Sequence, residues 1–155
     1  MILINALYLL ALITWIGSII FFSFVGAPSI FQSLPPEYAG KVVATIFPRY
    51  YPLGYISGFV AVACVIISGF NTGQVPGMKF IILTTMLTIS IYTSLVTYPR
   101  AHALKEEMRT ALSDTEIVQL KQEFSIAHRA SVVNNGAVLL LGIILVVITA
   151  ENLRL

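Results

Sequence analysis

Two histidines, His102 and His128, are the side chains of this 155-residue sequence best suited by type and spacing to hold a metal or haem. His102 lies ten residues before a helical-hairpin turn at Leu112–Ser113 and His128 fifteen residues after it. On two antiparallel helices their depths would differ by under about two turns. Imidazoles on neighbouring helices are how bundles hold haem or a transition metal. A third ligand is missing: Glu106, Glu107, Asp114, Glu116 and Glu123 read as a solvated face. The plainer reading of each histidine is a hydrogen-bonding side chain at a membrane interface. No cofactor is expected; haem or a metal at this pair is the exception to test.

A second group is a collar of Arg49, Arg100 and Arg129, each at the edge of an uncharged stretch, with both histidines at the same level. Arginine grips phosphate with two parallel hydrogen bonds, and lipid headgroups supply phosphate at that depth. Ordinary snorkelling is the simpler account. Further in, Asn134 and Asn135 fall one turn inside the last uncharged stretch, just after Ser131. A buried amide must find partners, so it fixes helix packing or lines a polar cavity. With Trp15, Ser18, Thr93, Thr97 and Tyr98 these amides outline a pocket. The expected ligand-binding residues are therefore Trp15, Arg49, Arg100, His128, Ser131, Asn134 and Asn135. No metalloprotease helix, phosphate loop or nucleophile elbow occurs, and the expectation is a protein without enzymatic activity.

What positions these residues is a set of membrane helices. Residues 1–36, 50–78, 80–99 and 130–150 contain no Asp, Glu, Lys, Arg or His. A charge at the centre of a spanning helix costs about 2.5–3.5 kcal/mol on insertion scales, so charges collect at the ends. Each stretch reaches the roughly 20 residues that a hydrocarbon core demands. With 57% hydrophobic and 10% charged residues, the chain reads as one all-α domain, 1–155: an integral membrane four-helix bundle. Its spans are expected at about 2–26, 53–70, 79–98 and 131–150. No charged group lies within a span, which counts against a self-contained pump.

The first stretch has no basic n-region, and its apolar run exceeds the 7–15 residues of a signal peptide's core, so it is expected to stay as span one, stopping at Pro28. A short interfacial helix over about 35–47 is expected next, capped by Ser33 and opened by Pro35 and Pro36. The corner Phe47-Pro48-Arg49-Tyr50-Tyr51-Pro52 should end it. Span two opens with Gly54-x-x-x-Gly58, a close-approach spacing that suits a homo-oligomer or a larger complex. Asn71–Gly77 reads as a turn. Pro99 should end or kink span three. Beyond it a hairpin over about 100–129, restarted by the capping box Ser113-Asp114-Thr115-Glu116, extends spans three and four. Lys41, Arg49, Arg100, Lys105, Arg109, Lys121 and Arg129 fall on one side; Lys79 and Arg154 fall on the other. The positive-inside rule then puts the hairpin in the cytoplasm and both termini outside, in a bacterial inner membrane. The net charge of +2 and the absence of basic runs argue against nucleic acid; the bilayer is the expected partner.

Taken in order, Trp15-x-Gly17, Gly26-Ala27-Pro28, Phe31-x-Ser33-Leu34-Pro35 and Phe47-Pro48-x-Tyr50-Tyr51 resemble the first half of the transmembrane protein 205-like family. Pro99-Arg100 and Phe124-x-x-x-His128-x-x-Ser131-x-x-Asn134 resemble its second half. The resemblance implies a compact four-helix membrane protein with a helical hairpin, and little about chemistry. Trp15, Pro48, Arg100, His128, Ser131 and Asn134 match its pattern; His102 lies outside it. Together these features point to a protein that binds a small ligand or lipid at a cytoplasm-facing pocket, in connection with transport. The alternatives are an accessory subunit of a larger, for example respiratory, complex, and a redox protein using His102 and His128.

Overall fold

The computed structural model describes residues 1–152 and is helical throughout apart from short connections. Arg154, expected on the far side of the membrane, lies outside the described residues. The order is α1 (Ile2–Phe21), a π-helical segment (Phe22–Gly26), α2 (Ala27–Ser33), α3 (Pro36–Thr72), α4 (Gly77–Tyr92), a second π-helical segment (Thr93–Thr97), α5 (Tyr98–Thr110) and α6 (Asp114–Asn152). These combine into four long helices, 2–33, 36–72, 77–110 and 114–151, each long and apolar enough to cross a membrane. The shortest, 32 residues, reaches about 48 Å at helical rise, so every one outruns a hydrocarbon core of about 30 Å.

The four helices pack in a ring: α1 on α3, α3 on α4 and α4 on α6, with a thinner α6–α1 seam closing it. Leu12, Trp15, Leu83, Met86, Val138 and Leu145 fill the centre, each no more than 2% exposed. The outward surface is equally apolar, with Leu10, Ile13, Phe24, Phe59, Ile81 and Leu140 all more than half exposed. Such a belt would be an aggregation hazard in water; in hydrocarbon it is ordinary solvated surface.

Pro28, Pro48 and Pro52 behave differently from expectation, whereas helix continues beyond Pro99 as expected. Span one does not stop at Pro28, because the preceding turn widens: the Ala27 N–H bonds the Phe22 carbonyl, five residues back. The same device precedes Pro99, where the Tyr98 N–H bonds the Thr93 carbonyl, and the third helix runs on. A proline ring crowds the carbonyl four residues earlier, here Phe24 and Leu95, and a π turn makes room for it.

Nor is there a separate interfacial helix over 35–47. Residues 36–72 form one helix with Pro48 and Pro52 inside it, and Ser33 closes α2 rather than capping α3, whose N-cap is Pro35. Rings packed around the supposed corner hold it helical: Phe47 lies 5.2 Å from Tyr51 and 5.0 Å from Tyr98 between centroids. Gly73, with φ +76°, ends α3 in a left-handed conformation that suits glycine. At the other end of the bundle α5 and the first half of α6 form the expected hairpin, pinned by Arg100 to Glu123 at 2.9 Å. Ser113 immediately precedes α6, and its carbonyl accepts from the Ile117 N–H at 3.0 Å.

The Gly54–Gly58 face, expected to serve an oligomer or complex, is used inside the chain. A Cβ on Gly58 would stand 2.9 Å from the Trp15 ring and 2.8 Å from Leu87, and one on Gly54 would stand 3.3 Å from the Trp15 indole nitrogen. Glycine there lets α1 bring its tryptophan against the α3 backbone.

Candidate functional site: a polar cavity beneath an aromatic layer

The polar residues of the spans sort by depth. Outermost is the collar. Arg49 is exposed, and its guanidinium donates to the Thr45 carbonyl of its own helix at 3.3 Å. Arg100 is spent on Glu123. Arg129 and His128 are exposed on α6, between Glu123 and Asn134. Ser131 donates back to the Ala127 carbonyl at 3.3 Å. These residues form a rim and do not line the interior.

The histidines keep to separate neighbours. His102 lies beside Tyr98, centroids 6.1 Å apart, and His128 stacks on Phe124 at 5.8 Å. With Arg100 opposite Glu123, His102 lies two positions nearer the hairpin turn and His128 five positions nearer the spans. That is roughly seven residues of rise, about 10 Å along the hairpin. The offset matches the depth difference expected, but a single ion needs both rings at one level. No group of three or more His, Cys, Asp or Glu side chains suited to a metal occurs among the described residues.

Beneath the rim lies a layer of packed rings, Phe22, Phe47, Tyr50, Tyr51 and Tyr98, with neighbouring centroids 5.0–5.9 Å apart. It is built from α3, from α5 and from Phe22 at the start of the first π segment. The tilted and edge-on arrangements are the favoured ones for aromatic pairs.

Below that layer is a small cavity of about 10 Å³, lined by Trp15, Ser18, Ile19, Tyr50, Tyr51, Gly54, Ser90 and Asn135. All four long helices contribute. Next to it the Asn134 amide donates to the Thr93 hydroxyl at 3.0 Å, and that hydroxyl donates to the Ile89 carbonyl at 2.8 Å. The Tyr50 hydroxyl is buried and reaches no protein partner, and neither does the Thr97 hydroxyl. A buried polar group left unmatched costs about 1–3 kcal/mol, so these two hydroxyls are a local cost to the packing at this end of the bundle.

Of the seven expected ligand-binding residues, the structure brings Trp15 and Asn135 together and sets Asn134 beside them; Arg49, Arg100, His128 and Ser131 lie at the rim. Tyr50, Tyr51, Gly54 and Ser90 escaped the sequence reading. The Phe47–Pro52 run that carries the tyrosines read as a corner, and only its density of aromatic rings hinted otherwise. A larger recess of about 320 Å³ opens along the α1–α6 seam, lined by Leu12, Ile13, Ile16, Gly17, Val146 and Thr149 among others. It is apolar, and Thr149 is already bonded to the Tyr8 hydroxyl at 3.2 Å.

Fold and surface together define an integral membrane protein with four spanning helices and, near one end, a small cavity with Ser18, Ser90 and Asn135 in its lining. Residues 10–110 match the family described as a domain of unknown function, DUF4149, and the chain belongs to that family. The matched stretch carries most of the first helix, the aromatic layer and both prolines that follow π segments; Asn134 and Asn135 lie beyond it. An uncharacterized protein of Aquifex aeolicus (strain VF5) is 34% identical over 101 residues, covering 64% of this chain and 69% of that protein. No solved structure matches the chain.

Proposed function

We propose that this protein binds a small polar ligand or a lipid headgroup in the cavity beneath the aromatic layer, without enzymatic activity and in connection with transport. The observation that carries the reading is the order of layers at one end of the bundle. Exposed arginines stand outermost, packed rings come next, and a small cavity whose lining includes Ser18, Ser90 and Asn135 lies beneath. Arginine at a membrane boundary attracts phosphate and other anions. Rings below it keep hydrocarbon out of a polar space. The cavity as it stands admits nothing larger than a water, so binding requires the rings to part, and uptake is coupled to movement of that layer.

Seven of the nine basic residues fall on the rim side, which supports a cytoplasmic mouth, both termini outside and a bacterial inner membrane as the setting. The ordered motifs from Trp15-x-Gly17 to Asn134 support kinship with the transmembrane protein 205-like family.

Native mass spectrometry of protein extracted from its own membrane in mild detergent tests the reading. The expected result is a retained small molecule or lipid, lost from Asn135→Leu and weakened in Arg49→Ala/Arg129→Ala. A wild-type protein that flies bare from every mild detergent overturns it.

A further inference from the structure

We propose that the start of α3 and the outer half of α5 form a binding site for one anionic phospholipid, its phosphate held by Lys105 between Lys41 and Arg109. The site lies on the outside of the bundle and does not depend on the cavity or on what enters it.

Three cations converge there on one carboxylate. Lys41 binds Glu37 at 3.0 Å, and the charges of Arg109 and Lys105 add to the pull that holds the Glu37 carboxyl below its ordinary value. Lys105 and Arg109 are one turn apart on α5, so their side chains leave the same face of that helix. Glu37 is answered by Lys41, and Arg109 is answered by Glu106 at 2.9 Å. Of the three cations only Lys105 has no ion pair within the described residues. Its place is fixed by the backbone opposite. A Cβ on Gly40 would collide with the Lys105 ammonium and stand 3.3 Å from its Cε, so glycine lets the amine lie against α3. An ammonium there offers three donors to an oxygen-rich group.

Depth and surroundings select a lipid. The rise from Lys79 to Lys105 along the third long helix is about 39 Å. With Lys79 at the far edge of a hydrocarbon core of about 30 Å, Lys105 stands about 9 Å beyond the near edge, among headgroup phosphates. Lys41 stands over the Tyr38 ring at 5.3 Å, and Tyr38 and Val42, one turn apart, are both exposed. That apolar strip beside the cations suits the glycerol and upper chains of a lipid, and a soluble anion has no use for it. Basic groups at this level attract anionic headgroups in particular.

Delipidated full-length protein in mild detergent, titrated with phosphatidylglycerol and followed by native mass spectrometry, tests the proposal. Wild type should hold one phosphatidylglycerol in preference to phosphatidylcholine. Lys105→Gln should weaken that binding about fivefold, the worth of one basic group near an anionic surface. Gly40→Ala, which pushes the ammonium aside without removing its charge, should weaken it as well. Lys121→Gln removes one charge from α6 and Asn135→Leu alters the cavity; both should hold the lipid as wild type does. Unaltered tryptophan emission checks that the Lys105, Gly40 and Lys121 variants are folded. Equal retention of the two lipids overturns the proposal, and so does full binding by Gly40→Ala. An equal loss from Lys105→Gln and Lys121→Gln overturns it too, since that marks general charge attraction. Glycerol phosphate competing as well as the lipid would place a soluble anion there and overturn the lipid.

Discussion

The Tyr98 hydroxyl donates to the Ala44 carbonyl at 3.5 Å, joining the third long helix to the second. That carbonyl is free because of Pro48, which stands four residues on and has no N–H to give it. A defect in one helix is thus answered by a side chain from another, and the answer helps keep residues 36–72 continuous where a break is expected.

The pairing predicts a coupled mutant cycle. Tyr98→Phe should cost about 1 kcal/mol, the usual net worth of one hydrogen bond, measured by reversible unfolding in mixed detergent micelles. Pro48→Ala returns an N–H to the Ala44 carbonyl, so in that background Tyr98→Phe should cost clearly less. Strict additivity of the two substitutions would show that the hydroxyl and the missing N–H are unrelated.

The number and placement of the spans are legible in the sequence because exclusion of charge from hydrocarbon is a strong, local and additive effect. The ends of the helices are not. Pro28, Pro48 and Pro52 read as terminators and Pro99 as a terminator or a kink, since proline biases its predecessor away from helix. Each is kept helical by something several residues or a whole helix away: a widened turn before Pro28 and Pro99, packed rings around Pro48 and Pro52. The site divides in the same way. Asn134, Asn135 and Trp15 were visible as polar or bulky residues at membrane depth. Tyr50 and Ser90 were not, because nothing local says which face of a helix a ring or hydroxyl takes.

The Asn134–Thr93 bond should be worth little alone. Thr93 retains its bond to the Ile89 carbonyl when Asn134 is removed, so no buried hydroxyl is stranded. Asn134→Ala should therefore cost about 0.6–1.7 kcal/mol, the range found for interhelical bonds in membranes. Thr93→Val, which leaves the amide seeking a partner, should cost at least as much. A loss beyond about 3 kcal/mol for Asn134→Ala would mean that the amide supports more than Thr93.

Glu37 gives a pH dependence with a definite sign. Its carboxylate accepts from Lys41 at 3.0 Å, and that bond, followed by the lysine's charge, holds its pKa below the ordinary glutamate value. A depressed native pKa adds stability above the unfolded value, and that contribution fades as pH falls through the native one. The first turns of α3 should therefore loosen on acidification below the usual carboxylate range. Carbon-detected NMR titration of Glu37 should show the low value in wild type and a rise toward normal in Lys41→Met. An unchanged midpoint in the variant would rule out Lys41 as the cause.

The Gly58–Trp15 contact makes the sharpest packing prediction. A methyl at Gly58 would press on the indole at 2.9 Å and on Leu87 at 2.8 Å, in a region where Trp15 is 1% exposed and has nowhere to move. Overpacking of this kind costs about 1–3 kcal/mol, so Gly58→Ala should destabilise the protein by that amount and shift the emission of its single tryptophan. Gly17→Ala is the control: nothing stands within 4 Å of its Cβ, and the substitution should be neutral or slightly stabilising. If the glycine face instead served association between chains, Gly58→Ala would change the oligomeric state on size exclusion and leave the tryptophan spectrum alone. The interior position of both glycines requires the reverse.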